Sequence, residues 1–317
     1  MFPTGKEIGM GGGGKSGFRN KSKVQRSIFI AVMLAWPLLY FAVFGIYLQV
    51  QTVLYSFQRW NYVSGTQVWV GLDNYRQAVK ELIGGSYWRT GMTNALLFIP
   101  VNYALIALSI LVAVILSRKF PFASFYRIVY FFPTILSVVV LTMVYQFSLH
   151  PTNGIVNGLL GFLGLEDWQR SWLGERQTAF PAVIVYCLWA GIGFYNVMFT
   201  GALQRIPGEY YEVGKLEGIT FWKELFSVVL PTIWPTISTF IILGTSGAFL
   251  VYLQPLLLTN GGPNHSSTTA ALEMFQAVLG AGNYGMAATF GILFAVIGSL
   301  VTYIVKRVVD RVDTADY

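Results

Sequence analysis

The sequence predicts an all-α, polytopic membrane protein with six transmembrane helices. Three observations carry that expectation. Only 11% of the 317 residues are charged and 55% are hydrophobic, whereas a soluble domain carries about 25% charged residues. The charges are clustered, and between the clusters run apolar stretches of the roughly 20 residues that cross a hydrocarbon core. Finally, the basic residues divide unevenly between alternate loops, the asymmetry that orients a polytopic chain.

Residues 1–26 read as a flexible basic tail, with Gly11 to Gly14 followed by Lys15, Arg19, Lys21, Lys23 and Arg26. The apolar run over 27–50 is too long for the core of a signal peptide and offers no small-residue cleavage site. It is expected as an uncleaved first span. The others are expected at 93–116, 125–149, 180–203, 233–258 and 286–305, which makes 27–305 one transmembrane domain. Residues 306–317 then form a C-terminal tail. Pro133, Pro235 and Pro255 lie in or at the ends of these runs, where neighbouring helices re-satisfy freed backbone groups.

With the N-terminus inside, 15 of the 21 basic residues are cytoplasmic. These are the tail cluster with Lys6, then Arg118, Lys119, Arg127, Arg205, Lys215, Lys223, Lys306, Arg307 and Arg311. Arg59, Arg76, Lys80, Arg89, Arg170 and Arg176 are outside. Both termini are then cytoplasmic. Trp60, Trp69, Trp88, Trp168 and Trp172 gather in the outer loops, as an interfacial aromatic belt requires. The net charge of +7 thus has a topological origin, and no nucleic-acid partner is expected.

Several function classes are disfavoured. The single cysteine, Cys187, forms no intrachain disulfide, and His150 and His265 lie far apart without a ligand cluster, so no metal site is expected. No span carries a row of ionisable residues, which argues against a proton pump, a voltage sensor or an ion-coupled carrier. A membrane-embedded enzyme would need clustered His, Asp or Glu in the spans, so no catalytic residue is expected. No Gly-x-x-x-x-Gly-Lys phosphate loop is present. Energy for active transport must come from elsewhere, and a passive channel or carrier is the competing reading.

The segment 204–231 is the most informative. It is cytoplasmic by the topology and amphipathic in composition. Pro207 suits the start of a short helix with Tyr210, Val213 and Leu216 on one face. Gly218 permits a turn, and Thr220 suits the N-cap of a second short helix with Phe221, Leu225 and Val228 on its apolar side. Periodicity alone leaves a protein-docking element and an interfacial helix equally open.

Glu212-Val213-Gly214, Gly218 and the ending Val228-x-Leu230-Pro231 resemble the EAA motif of binding-protein-dependent ABC importer permeases. Val-Gly stands where the motif has Ala-Ala. Val70 to Tyr75, Gly201 to Pro207 and Leu258 to Pro263 are similar to segments of the carbohydrate permeases in the MalF-like branch, without that permease's extra N-terminal helices and large outer domain. The resemblance implies a type I ABC importer permease fold in the bacterial cytoplasmic (inner) membrane. It implies a second homologous permease subunit, two ATPase subunits that hold ATP and Mg, an extracytoplasmic solute-binding protein and a carbohydrate substrate. This chain itself would bind no cofactor and hydrolyse nothing.

The resemblance also assigns residues. Tyr211, Glu212, Val213, Gly214, Leu216, Glu217, Gly218, Phe221 and Trp222 would couple to the ATPase, with Gly218 making the turn. Sugars are held by aromatic faces and hydrogen-bonding groups. Thr134, Tyr195 and the positions equivalent to the maltose site, among them Cys187, Gly191, Phe194, Gly247 and Val251, are the pathway candidates. Several are small or apolar where the maltose permease is polar, so maltose bound in the same way is not expected.

Overall fold

A computed structural model describes residues 15–61, 66–118, 122–280 and 282–313. The glycine run of the N-terminal tail and the last four residues lie outside the described residues. The chain divides into two compact units, Met1–Leu54 and Tyr55–Tyr317.

In the first unit α1 (Lys15–Tyr40) passes through a wide π turn at Phe41–Tyr47 into α2 (Leu48–Ser56). Residues Gln25–Ser56 are long and apolar enough to cross a membrane. The helix begins inside the segment read from sequence as a flexible tail. From Lys15 to Arg26 no proline interrupts it, and a helix favoured by the long apolar run propagates back through such a stretch.

The second unit opens with an antiparallel hairpin, β1 (Gln58–Asn61) and β2 (Thr66–Trp69), with Gln58 opposite Trp69 and Asn61 opposite Thr66. The amphipathic α3 (Asp73–Gly84) anchors it, because the buried Asn74 amide donates to the Ser56 and Gln58 carbonyls at 2.9 Å. α4 (Tyr87–Ser117) is the axis of the unit. Its buried residues enter all three hydrophobic clusters. Trp88 and Met92 pack with α13 (Ala270–Leu279) and α14 (Tyr284–Asp313), Phe98 with Val183 and Tyr186, and Ile106 and Ile110 with Phe199 and Ile233. Trp88 stacks on Phe290 at 3.7 Å between ring centres.

Among the described residues, five helices are long and apolar enough to span a membrane, six if one bent pair counts as a single span. That pair corrects the straight third span expected over 125–149. α5 (Ala123–Ile135) and α6 (Val138–Ser148) are bent by 107°. Leu136 is extended, and Ser137 takes the N-cap position of α6 with ψ 138°. Pro133 has already weakened the helix one turn earlier by removing an N–H. Beyond α6 come α7 (Ile155–Phe162) and a short 3-10 turn at Glu166–Trp168, then α8 (Ala179–Leu203).

The fifth span also differs from the expected 233–258. After α9 (Gly208–Leu216) the helix starts at Phe221 and runs without interruption to Leu250. It comprises α10 (Phe221–Glu224), a π turn at Leu225–Val229, α11 (Leu230–Gly247) and a 3-10 turn. The second short helix expected before Pro231 is therefore the first turn of the span. A wide turn just ahead of Pro231 accommodates a residue without an N–H. The backbone leaves the helix at Val251 and re-enters at α12 (Leu253–Thr259). α14 continues to Asp313, through Lys306 and Arg307, which the sequence places in a tail.

Candidate functional site

Two regions hold the candidate residues, one at the end of the unit that bears α9 and one halfway along the spans.

α9 ends in a Schellman closure. Gly218 has φ +64°, the left-handed region that glycine enters without a Cβ penalty. The Ile219 N–H donates to the Gly214 carbonyl at 3.1 Å. Ile219 folds over Gly214, where an added Cβ would stand 2.7 Å from its Cδ1. An alanine there, as the motif carries, would need the end of the Ile219 side chain to shift. Thr220 then takes the extended N-cap geometry of α10, although its hydroxyl makes no cap bond.

The turn sorts the coupling candidates onto two sides. Tyr211 and Phe221 pack on the cluster around Leu225 and Ile206, and Gly214 is buried. Glu212, Val213, Leu216, Glu217, Gly218 and Trp222 are exposed, Leu216 at 88%. Tyr210 joins them, so an apolar face flanked by carboxylates points away from the chain. Burial pushes the Tyr211 phenol up, the Glu224 carboxylate adds to the rise and the Arg118 guanidinium opposes it.

Arg118 and Glu224 were not singled out from sequence. Arg118 Nη2 donates to Glu224 Oε1 at 2.9 Å, and its guanidinium lies 4.5 Å from the centre of the Phe221 ring. Charges at both span ends are visible in the sequence, but nothing local pairs them.

The second region is a cleft of about 370 Å³ between α4, α8 and α11. Cys187, Phe194, Tyr195, Gly247 and Val251 line it. Thr134 and Gly191 do not. Thr134 donates to the Phe131 carbonyl of its own helix, and Gly191 lies against Leu105, which an added Cβ would approach to 2.7 Å. Sequence reasoning missed Asn102, which lies inside the apolar second span. Asn102 Nδ2 donates to the Tyr195 hydroxyl at 2.8 Å, and its buried Oδ1 has no hydrogen-bond partner among the described residues. Gly244 makes room for it, since a Cβ there would collide with the amide. Gln254, next to the break at Val251, also lines the cleft. Aromatic faces and amide groups at mid-helix suit a ligand with both apolar faces and hydroxyls. Irregular backbone at membrane depth is tolerated where it lines such a cavity.

Comparison with known proteins places this architecture. Residues 105–314 match the family described as the binding-protein-dependent transport system inner membrane component. The diacetylchitobiose uptake system permease protein NgcF of Streptomyces coelicolor is 31% identical over 88% of this chain and 81% of its own length. The multiple sugar-binding transport system permease protein MsmF of Streptococcus mutans is 29% identical over 83% of this chain and 89% of its own. Among solved structures, a chain of a bacterial ABC transporter that imports the acidic polysaccharide alginate superposes with a TM-score of 0.79. It is 20% identical, covers 92% of this chain and is itself 99% covered, which establishes the shared fold. The chain belongs to the family of binding-protein-dependent transport system inner membrane components, as a multi-pass permease subunit of an ABC importer.

Proposed function

We propose that this permease forms one half of a translocation path for a sugar or short oligosaccharide. A second homologous permease forms the other half. A solute-binding protein delivers the cargo from outside, and two ATPase subunits, with their ATP and Mg, drive the cycle from the cytoplasm. Both termini and α9 lie on the cytoplasmic side, in keeping with the distribution of Lys and Arg.

The observation that carries the reading is the turn at Gly218. It joins an exposed docking helix to a span that runs unbroken from Phe221 to Leu250. A displacement of α9 is delivered directly to the helix that walls the cleft. The broken backbone at Leu136–Ser137 and Val251–Tyr252 supplies the hinges through which the spans change shape. The sugar-transport names of its relatives and the aromatic and amide lining of the cleft support a carbohydrate cargo.

Reconstitution of the two permeases and the ATPases in proteoliposomes tests this. Uptake of radiolabelled oligosaccharide is expected only with the binding protein and ATP together. Uptake that persists without the ATPase subunits would overturn the reading.

A further inference from the structure

α7 is amphipathic in the reverse sense for a helix in water. Its polar side chain, Asn157, points into the protein and is 4% exposed. There Nδ2 donates to the Pro151 and Arg170 carbonyls, each at 2.9 Å, and Oδ1 accepts from Trp172 Nε1 at 2.7 Å. The opposite face carries Ile155, Leu159 and Phe162, all exposed, Phe162 at 89%. A surface helix in water has the opposite arrangement, with its apolar stripe inward.

The surrounding sequence has the same character. Between Arg127 and Glu166 there is no Asp, Glu, Lys or Arg. In charge, α7 thus belongs with the membrane half-span α6 and not with an aqueous loop. Val144 and Phe147, exposed on the last turns of α6, share one cleft with Ile155. The stripe on α7 therefore continues an apolar surface that begins within the membrane. Past α7, Trp168 is exposed beside Glu166 and Asp167, an aromatic group at the point where charge resumes.

We infer that α7 is a lipid-contacting anchor, lying in the headgroup–acyl boundary of the leaflet opposite α9. Ile155, Leu159 and Phe162 are immersed in lipid, to the roughly 5–10 Å at which interfacial helices sit. A protein partner is the poorer fit, because a specific contact buries about 800 Å² on each side and this helix has eight residues. The hydrogen bonds of Asn157 fix the rotation of α7 about its axis and so hold the stripe towards the bilayer. The anchor sets the depth of α6, the half-span beyond the 107° bend. The inference rests on the proposed orientation only for which leaflet is the outer one.

The test uses the whole transporter in proteoliposomes, with Ile155→Cys, Leu159→Cys, Phe162→Cys and Asp167→Cys made singly and spin-labelled. The unsubstituted protein gives the labelling background of Cys187. Collisions with oxygen, which partitions into lipid, are compared with those of a water-soluble nickel chelate. Oxygen is expected to dominate at the three stripe positions and nickel at Asp167. Nickel dominance along the stripe, or low access to both reagents, as a covering permease or binding protein would produce, overturns the inference. An impermeant reductant added outside vesicles of known orientation reports the side. A lipid signature on the stripe with protection from that reductant would refute the proposed orientation and leave the anchor standing.

Discussion

The Arg118 guanidinium donates to the Glu224 carboxylate at 2.9 Å across 106 residues of chain, while lying 4.5 Å over the Phe221 ring. Arg118 is where α4 ends, and Glu224 lies in the first turn after the Gly218 bend. The pair therefore ties the axial helix of the unit to the helix that follows the Gly218 turn. On the proposed mechanism, motion imposed on α9 would reach α11 through the backbone and α4 through this clasp. Tyr211 feels both charges, and its phenol is held above the ordinary 10.0 by burial and by Glu224. The raised value means that stability from the neutral phenol is fully present below pH 10.0 and lost as pH rises through the folded value.

Replacing Glu224 with Gln, or Arg118 with Gln, is expected to lower the sugar moved per ATP while leaving the fold intact. Arg118 is 45% exposed, and such a pair is worth only about 0.2–1 kcal/mol. The melting temperature should hardly move. The double variant should lose little beyond either single change, since both break one interaction. An unchanged ratio of uptake to ATP hydrolysis removes the clasp from the coupling route.

Gly218 is expected to matter for conformation and not for space. Nothing lies within 4 Å of a Cβ built there, yet its φ is +64°. Ala and Val should each strain the turn by about 1–2 kcal/mol, whereas Asn, which tolerates this region, should be nearly silent. Uptake and stimulated ATPase activity of the three variants decide it. A loss that grows with side-chain volume, with Asn worse than Ala, would show that the turn is limited by contact instead.

What the sequence made legible follows from what is local. The apolar runs gave the spans because membrane depth fixes their length, and Gly218 stood out as a glycine between two amphipathic stretches. The bend at Leu136–Ser137 was hidden because it falls three residues past Pro133, inside an unbroken apolar run. Pro231 stands between the second short helix and the fifth span expected from sequence, and only the π turn before it reveals a continuous helix. The closeness of Gly214 to Ile219 depends on the chain turning back at Gly218. Asn102 meets Tyr195 across 93 residues and Arg118 meets Glu224 across 106. Such long-range pairs leave no periodic trace in the chain.

In the cleft, Tyr195→Phe is expected to weaken both the site and the fold, because it strips the Asn102 amide of its hydroxyl acceptor. A buried polar group left unsatisfied costs about 1–3 kcal/mol. Adding Asn102→Leu to Tyr195→Phe removes both partners together and should recover part of that stability without recovering transport. Thermal melting read beside the concentration dependence of uptake separates the two effects. If Asn102→Leu transports normally, the amide takes no part in the path.

Leu216 gives the cleanest test of docking. It is 88% exposed at the end of α9, so Leu216→Glu removes no contact within this chain, and surface changes of this kind shift stability by about 0.5 kcal/mol or less. An apolar side chain that docks in a partner's cleft behaves differently, since burying an unpaired carboxylate there is strongly unfavourable. The variant is expected to fold and insert normally, to pair with the second permease, and to lose the ATPase subunits on affinity purification. Its uptake should fall with that loss. Leu216→Met, which keeps size and polarity, should retain both. If Leu216→Glu still assembles with the ATPases at wild-type yield, the contact does not run through the exposed face of α9.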